Sequence, residues 1–241
     1  AMEEFATSPH INSVRAAERP LLGLTILMVE DSRYFADAVR LMAIRSGARL
    51  RRADCLESAR KHFRIYRPDA VLIDLGLPDG VGQDLIKEMQ NAPNAPPIIA
   101  MSGGSEAECH QAAVDAGAAL FLQKPFFDLA SFQQTILSVM PETTGVSGFT
   151  PRVAGDQVLP DSESLLEDYD YVLQIIKDAM DDCDQERMQY GAQFLSSVAR
   201  VSGDDDLFAE AITLSTRLNA GNDWAPACNR LLVLLNERMA A

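Results

Sequence analysis

Ala70-Val71-Leu72-Ile73-Asp74-Leu75-Gly76-Leu77-Pro78-Asp79-Gly80 is the stretch that decides the fold of this chain. A short apolar run ends in an acid and then in Gly and Pro, which punctuate regular structure. Such a run fits a strand covered on both faces. Alone, Asp74 reads equally well as a cap or turn residue. Similar runs lie to either side: Thr25-Ile26-Leu27-Met28-Val29, Pro97-Ile98-Ile99-Ala100-Met101 and Leu120-Phe121-Leu122, with a weaker, basic one at Arg49-Leu50-Arg51-Arg52. Amphipathic stretches near 32–46, 55–66, 82–90, 105–116 and 128–140 separate them. Strands alternating with helices imply βαβ units around a parallel sheet.

In an open parallel sheet, ligands bind at the carboxyl ends of the strands, near the topological switch point. The first strand here ends at Glu30-Asp31, the third at Asp74, the fourth at Ser102, and the fifth leads to Lys124. Three acids, a hydroxyl and a lysine are therefore expected in one crevice. Clustered carboxylates repel one another, and a hard cation with oxygen ligands, such as Mg²⁺, relieves that repulsion. Lys124 and Ser102 could then bind the oxygens of an incoming phosphoryl group, one by charge and one by hydrogen bonding. The set suits phosphoryl transfer to a carboxylate nucleophile better than hydrolysis of a peptide or sugar.

Val29-Glu30-Asp31, Asp74 to Gly80, Met101-Ser102-Gly103 and Phe121-Leu122-Gln123-Lys124-Pro125 together resemble the receiver domain of two-component response regulators, the CheY-like family. The resemblance spans roughly residues 22–140. It implies a doubly wound five-stranded sheet, flavodoxin-like, in the order 2-1-3-4-5. It also implies that Asp74 is the phosphoacceptor, and that Glu30, Asp31, Asp74 and the backbone carbonyl of Gly76 bind Mg²⁺. Ser102 and Lys124 would read the phosphoryl group, and Phe121 sits where the family has its switch aromatic. Glu in place of Asp opens the acidic pair, and Ser replaces the commoner Thr; neither change removes a needed functional group. A histidine kinase or phosphotransfer protein is the implied donor, and no enzymatic activity is expected beyond phosphoryl transfer to Asp74 and its hydrolysis.

The rest of the chain has another pattern. Residues 1–21 read as an arm, and 141–160, rich in Pro, Gly, Ser and Thr, as a linker. From Asp161 to the end, residues 161–241, only helical periodicity remains, so a separate all-α domain is expected. Ser164-Leu165-Leu166-Glu167 has the form of a capping box. Leu165, Tyr169, Val172, Leu173 and Ile176 follow at helical spacing, and further helices are predicted over Asp184–Val201, Asp205–Leu218 and Asp223 to about Met239. The clusters at Asp181-Asp182-Cys183-Asp184 and Asp204-Asp205-Asp206 lack the Gly and spaced Glu of a calcium loop and read as caps.

Charge narrows the output of that domain. From Thr150 to Ala241 there are 17 Asp and Glu against 7 Lys and Arg, a net of −10 within a total of −14. Such a region repels phosphate backbones, so a protein-interaction or dimerisation module is expected, with a DNA-binding transcriptional regulator as the alternative. Residues 40–67 run the other way, with Arg40, Arg45, Arg49, Arg51, Arg52, Arg60, Lys61, Arg64 and Arg67. They read either as a docking face for an acidic partner, the chain's own C-terminal helices included, or as a solvated surface with a charge-protected edge strand. The region after residue 150 contains no histidine, which excludes histidine phosphotransfer there. Cys55, Cys109, Cys183 and Cys228 form no metal-binding spacing and are expected as reduced, mostly buried thiols. The acidic start has no secretory pattern and no apolar run approaches a membrane span, so a cytoplasmic protein is expected.

Overall fold

Alternation along the strands builds the first half of the molecule. The computed structural model describes residues 19–104, 106–141 and 155–240. Five parallel strands, β1 (Thr25–Val29), β2 (Arg49–Ala53), β3 (Ala70–Asp74), β6 (Ile98–Ser102) and β7 (Leu120–Gln123), form one sheet in the order β2-β1-β3-β6-β7. This is the expected 2-1-3-4-5 arrangement. Because successive side chains point to opposite faces, Ile26, Met28, Leu72, Ile99 and Met101 enter one core, while Leu27, Val29, Val71, Ile73, Ile98 and Ala100 enter another. The first core is closed by α1 (Arg33–Ser46) and α5 (Leu129–Val139), the second by α2 (Leu56–Ile65), α3 (Gly82–Gln90) and α4 (Glu106–Ala116).

A two-residue-per-strand hairpin, β4 (Gly76–Leu77) with β5 (Gly80–Val81), stands between β3 and α3 and has no counterpart in the sequence reading. It turns through Pro78-Asp79, and the Asp79 carboxylate accepts hydrogen bonds from the Leu56 and Glu57 amides at the start of α2.

Four helices follow: α6 (Ser162–Asp181), α7 (Gln185–Ser202), α8 (Asp205–Asn219) and α9 (Ala225–Ala240). Each packs on the next, and α9 returns to α6, closing a bundle joined by short loops, as antiparallel helices allow. Asp184 and Asp204 cap α7 and α8 by accepting from the Arg187 and Leu207 amides, as expected for the acidic clusters. The expected capping box is corrected. Helix α6 starts three residues earlier, with Asp161 as its cap accepting from the Glu163 amide. Ser164 is thereby free to donate its hydroxyl to Asp37 on α1.

Two further expectations change. Within the segment read as linker, the Val158 amide donates to the Phe127 carbonyl, the Leu129 amide donates to the Asp156 carbonyl, and Val158 is buried in the α1/α5 core. Residues 142–154 lie outside the described part. Of the thiols, all free, only Cys228 is buried; Cys55 and Cys109 are half-buried and Cys183 is exposed. Among the described residues, no helix is long and apolar enough to cross a membrane.

Candidate functional site

Strand ends bring the predicted groups together. Glu30 follows β1 and is fully buried, Asp74 closes β3 at 6% exposure, Ser102 closes β6, and Lys124 follows β7 at 1% exposure. Lys124 Nζ lies 2.5 Å from Glu30 Oε2 and 3.1 Å from Asp74 Oδ1, and sits 4.7 Å from the centre of the Phe35 ring. Carboxylate oxygens of Glu30, Asp31 and Asp74 all lie within 4.8 Å of one another. A Cβ placed on Gly76 would stand 3.9 Å from Asp74 Oδ2, so the β4 backbone passes beside the carboxylate.

One lysine against three acids leaves negative charge uncompensated. Burial, opposed by Lys124 and reinforced by Glu30, pushes Asp74 up to about 7. Burial, Glu30 and Asp74 together hold Asp31 well above the usual carboxylate range. Burial works against the charged form of Lys124, but Asp74 and Glu30 outweigh it and raise its pKa. A divalent cation among these three carboxylates relieves that strain, so the donor set fits Mg²⁺. The Ser102 hydroxyl accepts from the Gly104 amide at 3.0 Å and from the Cys109 thiol at 3.3 Å, and its own proton is used in neither contact. Phe121 is half-buried on β7, its ring edge-on to His110 with centroids 5.7 Å apart.

The crevice has a second set of walls that the sequence reading missed. The C-terminal bundle lies across its mouth through α6 and α7. Asp168 of α6, 1% exposed, accepts hydrogen bonds from the Ser32 hydroxyl at 2.7 Å and from the Arg33 and Tyr34 amides at 2.9 and 3.1 Å. It thus supplies an anion to the N-terminus of α1. Beside it, Arg33 pairs with Glu167 at 2.8 Å. From α7, the Tyr190 hydroxyl donates to Asp31 Oδ2 at 2.7 Å, while the Ser32 amide donates to Oδ1 at 3.0 Å, so both Asp31 oxygens are engaged. Farther along α7, Ser197 packs against Gly103 so tightly that a Cβ there would come within 2.8 Å of its Oγ. Val201 enters the core under α1.

A signal for Asp168 did exist: with Ser164 and Val172 it falls at i, i+4 spacing on the buried face of α6, where a charge is out of place. The acidic bundle therefore covers the crevice. Several basic residues of 40–67 have other partners: Arg45 pairs with Asp156, Arg60 with Glu88 and Lys61 with Glu57, while Arg52 donates to the Glu30 and Asp31 carbonyls.

Residues 26–136 match the family described as the response regulator receiver domain. The chain is 36% identical over 101 residues to the KDP operon transcriptional regulatory protein KdpE of Escherichia coli (strain K12), covering 42% of this chain and 44% of that protein. It is 31% identical over 103 residues to the cell cycle transcriptional regulator CtrA of Caulobacter vibrioides (strain NA1000 / CB15N), covering 43% and 45%. The chain thus spans less than half the length of these two relatives. The receiver domain of sensor histidine kinase PA1611 from Pseudomonas aeruginosa PAO1, solved with a magnesium ion coordinated in the active site cleft, is 27% identical, with a TM-score of 0.46 over 48% of this chain and 97% of that one.

Proposed function

We propose that this chain, whose residues 26–136 are a response regulator receiver domain of the two-component type, is switched by transfer of a phosphoryl group to the Asp74 carboxylate. The observation that carries this reading is the shared cation: Lys124 bridges buried Glu30 and Asp74 at 2.5 and 3.1 Å, with Asp31 beside them. Glu30, Asp31, Asp74 and the Gly76 carbonyl would hold Mg²⁺. When bound, that ion supplies the positive charge an anionic donor needs to enter an acidic crevice.

The Asp74 carboxylate is the nucleophile. A new bond forms between its oxygen and phosphorus, the bond from phosphorus to the donor's leaving group breaks, and the leaving group departs with the electron pair. Lys124 turns from Asp74 toward a phosphoryl oxygen, and the uncommitted Ser102 proton is donated to another. Phe121 is the aromatic whose position would follow Ser102. The donor protein is a histidine kinase or phosphotransfer protein in the cytoplasm, and the output runs through α6–α9 as a protein-interaction or dimerisation module. The names of the two transcriptional relatives favour a DNA-directed output, but the matched segment is only 101–103 residues long. The net charge of −10 from Thr150 to Ala241 opposes such an output.

Intact-mass spectrometry after incubation with acetyl phosphate tests the chemistry. One phosphoryl increment is expected with Mg²⁺, none with a chelator, and none on Asp74→Asn. Equal modification of wild type and Asp74→Asn would overturn the assignment.

A further inference from the structure

Asp74 lines a cavity of about 510 Å³ whose one wall is receiver and whose other wall is α7, through Tyr190, Gln193, Phe194 and Ser197, with Ile212 and Ser215 of α8. The bundle spans the mouth from one rim to the other. At one rim Asp168 takes three hydrogen bonds from the start of α1, and at the other Ser197 rests on Gly103 of the β6–α4 loop. Between them Tyr190 is bonded to Asp31. The space is large enough for a small acyl phosphate and its cation, but a phosphohistidine fixed to a folded protein has to bring its own backbone to the same opening. We propose that the C-terminal bundle is a latched lid that selects phosphodonors by size: small-molecule donors enter the closed crevice, whereas a protein donor reaches Asp74 only after Asp168 and Tyr190 let go.

The proposal rests on the phosphoacceptor reading of Asp74, but its two parts separate in experiment. Cys109 lines the same cavity and reports access without any phosphoryl chemistry. Its labelling in the full-length chain, resolved from the other three cysteines by peptide mass, would be timed with iodoacetamide and with a maleimide carrying a long polyethylene glycol chain. Phosphorylation by acetyl phosphate with Mg²⁺ would be timed in parallel. The proteins compared are wild type, Asp168→Asn and Tyr190→Phe; the last keeps the ring packed near Phe194 and removes only the hydroxyl.

The bulky maleimide is expected to label Cys109 about tenfold faster in each variant, the shift in open population when a hydrogen bond to a charged acceptor is lost. Iodoacetamide is expected to react at similar rates in all three proteins, and acetyl phosphate at similar rates in wild type and Asp168→Asn; Tyr190→Phe, which frees an Asp31 oxygen, is compared by labelling alone. Equal bulky labelling in wild type and both variants would overturn the lid. Acetyl phosphate reacting about tenfold faster in Asp168→Asn would overturn the admission of small donors. If no protein is phosphorylated while the labelling contrast stands, the phosphoacceptor reading fails and donor selection with it, leaving only a latched bundle.

Discussion

At the scale of single residues, the crevice is a problem of charge. Asp74 is pushed up to about 7 by burial, against the pull of Lys124, so the folded protein holds a proton there that the unfolded chain releases near pH 4. Folding therefore becomes less favourable as pH rises from about 4 to about 7, the carboxylate being the costly form. Without Mg²⁺, the melting temperature is expected to fall by on the order of 5 °C between pH 5 and pH 8. Mg²⁺ stabilises more strongly at pH 8 than at pH 5, because it takes the place of the proton. Asp74→Asn should make the metal-free profile shallower, leaving the part owed to Asp31; differential scanning fluorimetry at fixed ionic strength measures all three effects. The acids and the lysine were legible in sequence because each stands within two residues of the end of an apolar run. Tyr190 and Asp168 were not, because a polar residue in a helix announces no partner more than a hundred residues away; only the misfit of Asp168 on a buried stripe hinted at one.

Elements fix how closely those residues approach. Helix α3 begins at Gly82, where a Cβ would fall 2.2 Å from the Asp74 carbonyl oxygen and 3.0 Å from the Leu75 Cα. Backbone cannot yield as a flexible side chain does, so Gly82→Ala is expected to destabilise the domain by about 2 kcal/mol, within the range for overpacking. It should also slow phosphorylation of Asp74 by displacing the strand end. A urea midpoint lowered at unchanged slope, together with the acetyl phosphate rate, checks this; an unchanged midpoint would mean that α3 shifts without cost. Helix periods and short continuous apolar runs gave the main elements, because inner strands covered on both faces are buried at every residue. The β4–β5 hairpin escaped because two-residue strands carry no period. Val158 escaped because two adjacent apolar residues, Val158 and Leu159, in a Pro- and Gly-rich stretch make no period, although the burial of Val158 ties the end of that stretch to the core beneath α1 and α5.

For the molecule as a whole, the arrangement of the halves follows from the interface. Charge distribution left the basic 40–67 surface open, either as a docking face for the acidic helices or as a solvated face; hydrogen bonds at the start of α1 and the insertion of Val201 place the helices over the crevice. A phosphoryl group adds ~1.5–2 negative charges. On the proposed reading of Asp74 it would draw Ser102 and Lys124 toward it, and with Ser102 the adjoining Gly103, on which Ser197 rests. A group can shift an equilibrium only by contacting the two states differently, and under the lid proposal the closed state would be the one to lose contacts. Beryllofluoride with Mg²⁺ is expected to enlarge the radius of gyration in small-angle scattering while both halves keep their helical content by circular dichroism. An identical profile would mean that the signal leaves through the receiver surface with the bundle in place.

The hydrogen bond from Tyr190 to Asp31 has a consequence that runs the other way. Binding equilibria joined through one shared group are reciprocal: if filling the crevice loosens α7, then whatever captures the loosened bundle must raise the crevice's affinity for its contents by the same factor. The downstream partner is then no passive listener. By holding the bundle away it would prolong the very state that recruited it, and the strength of the message would depend on how much listener the cell contains.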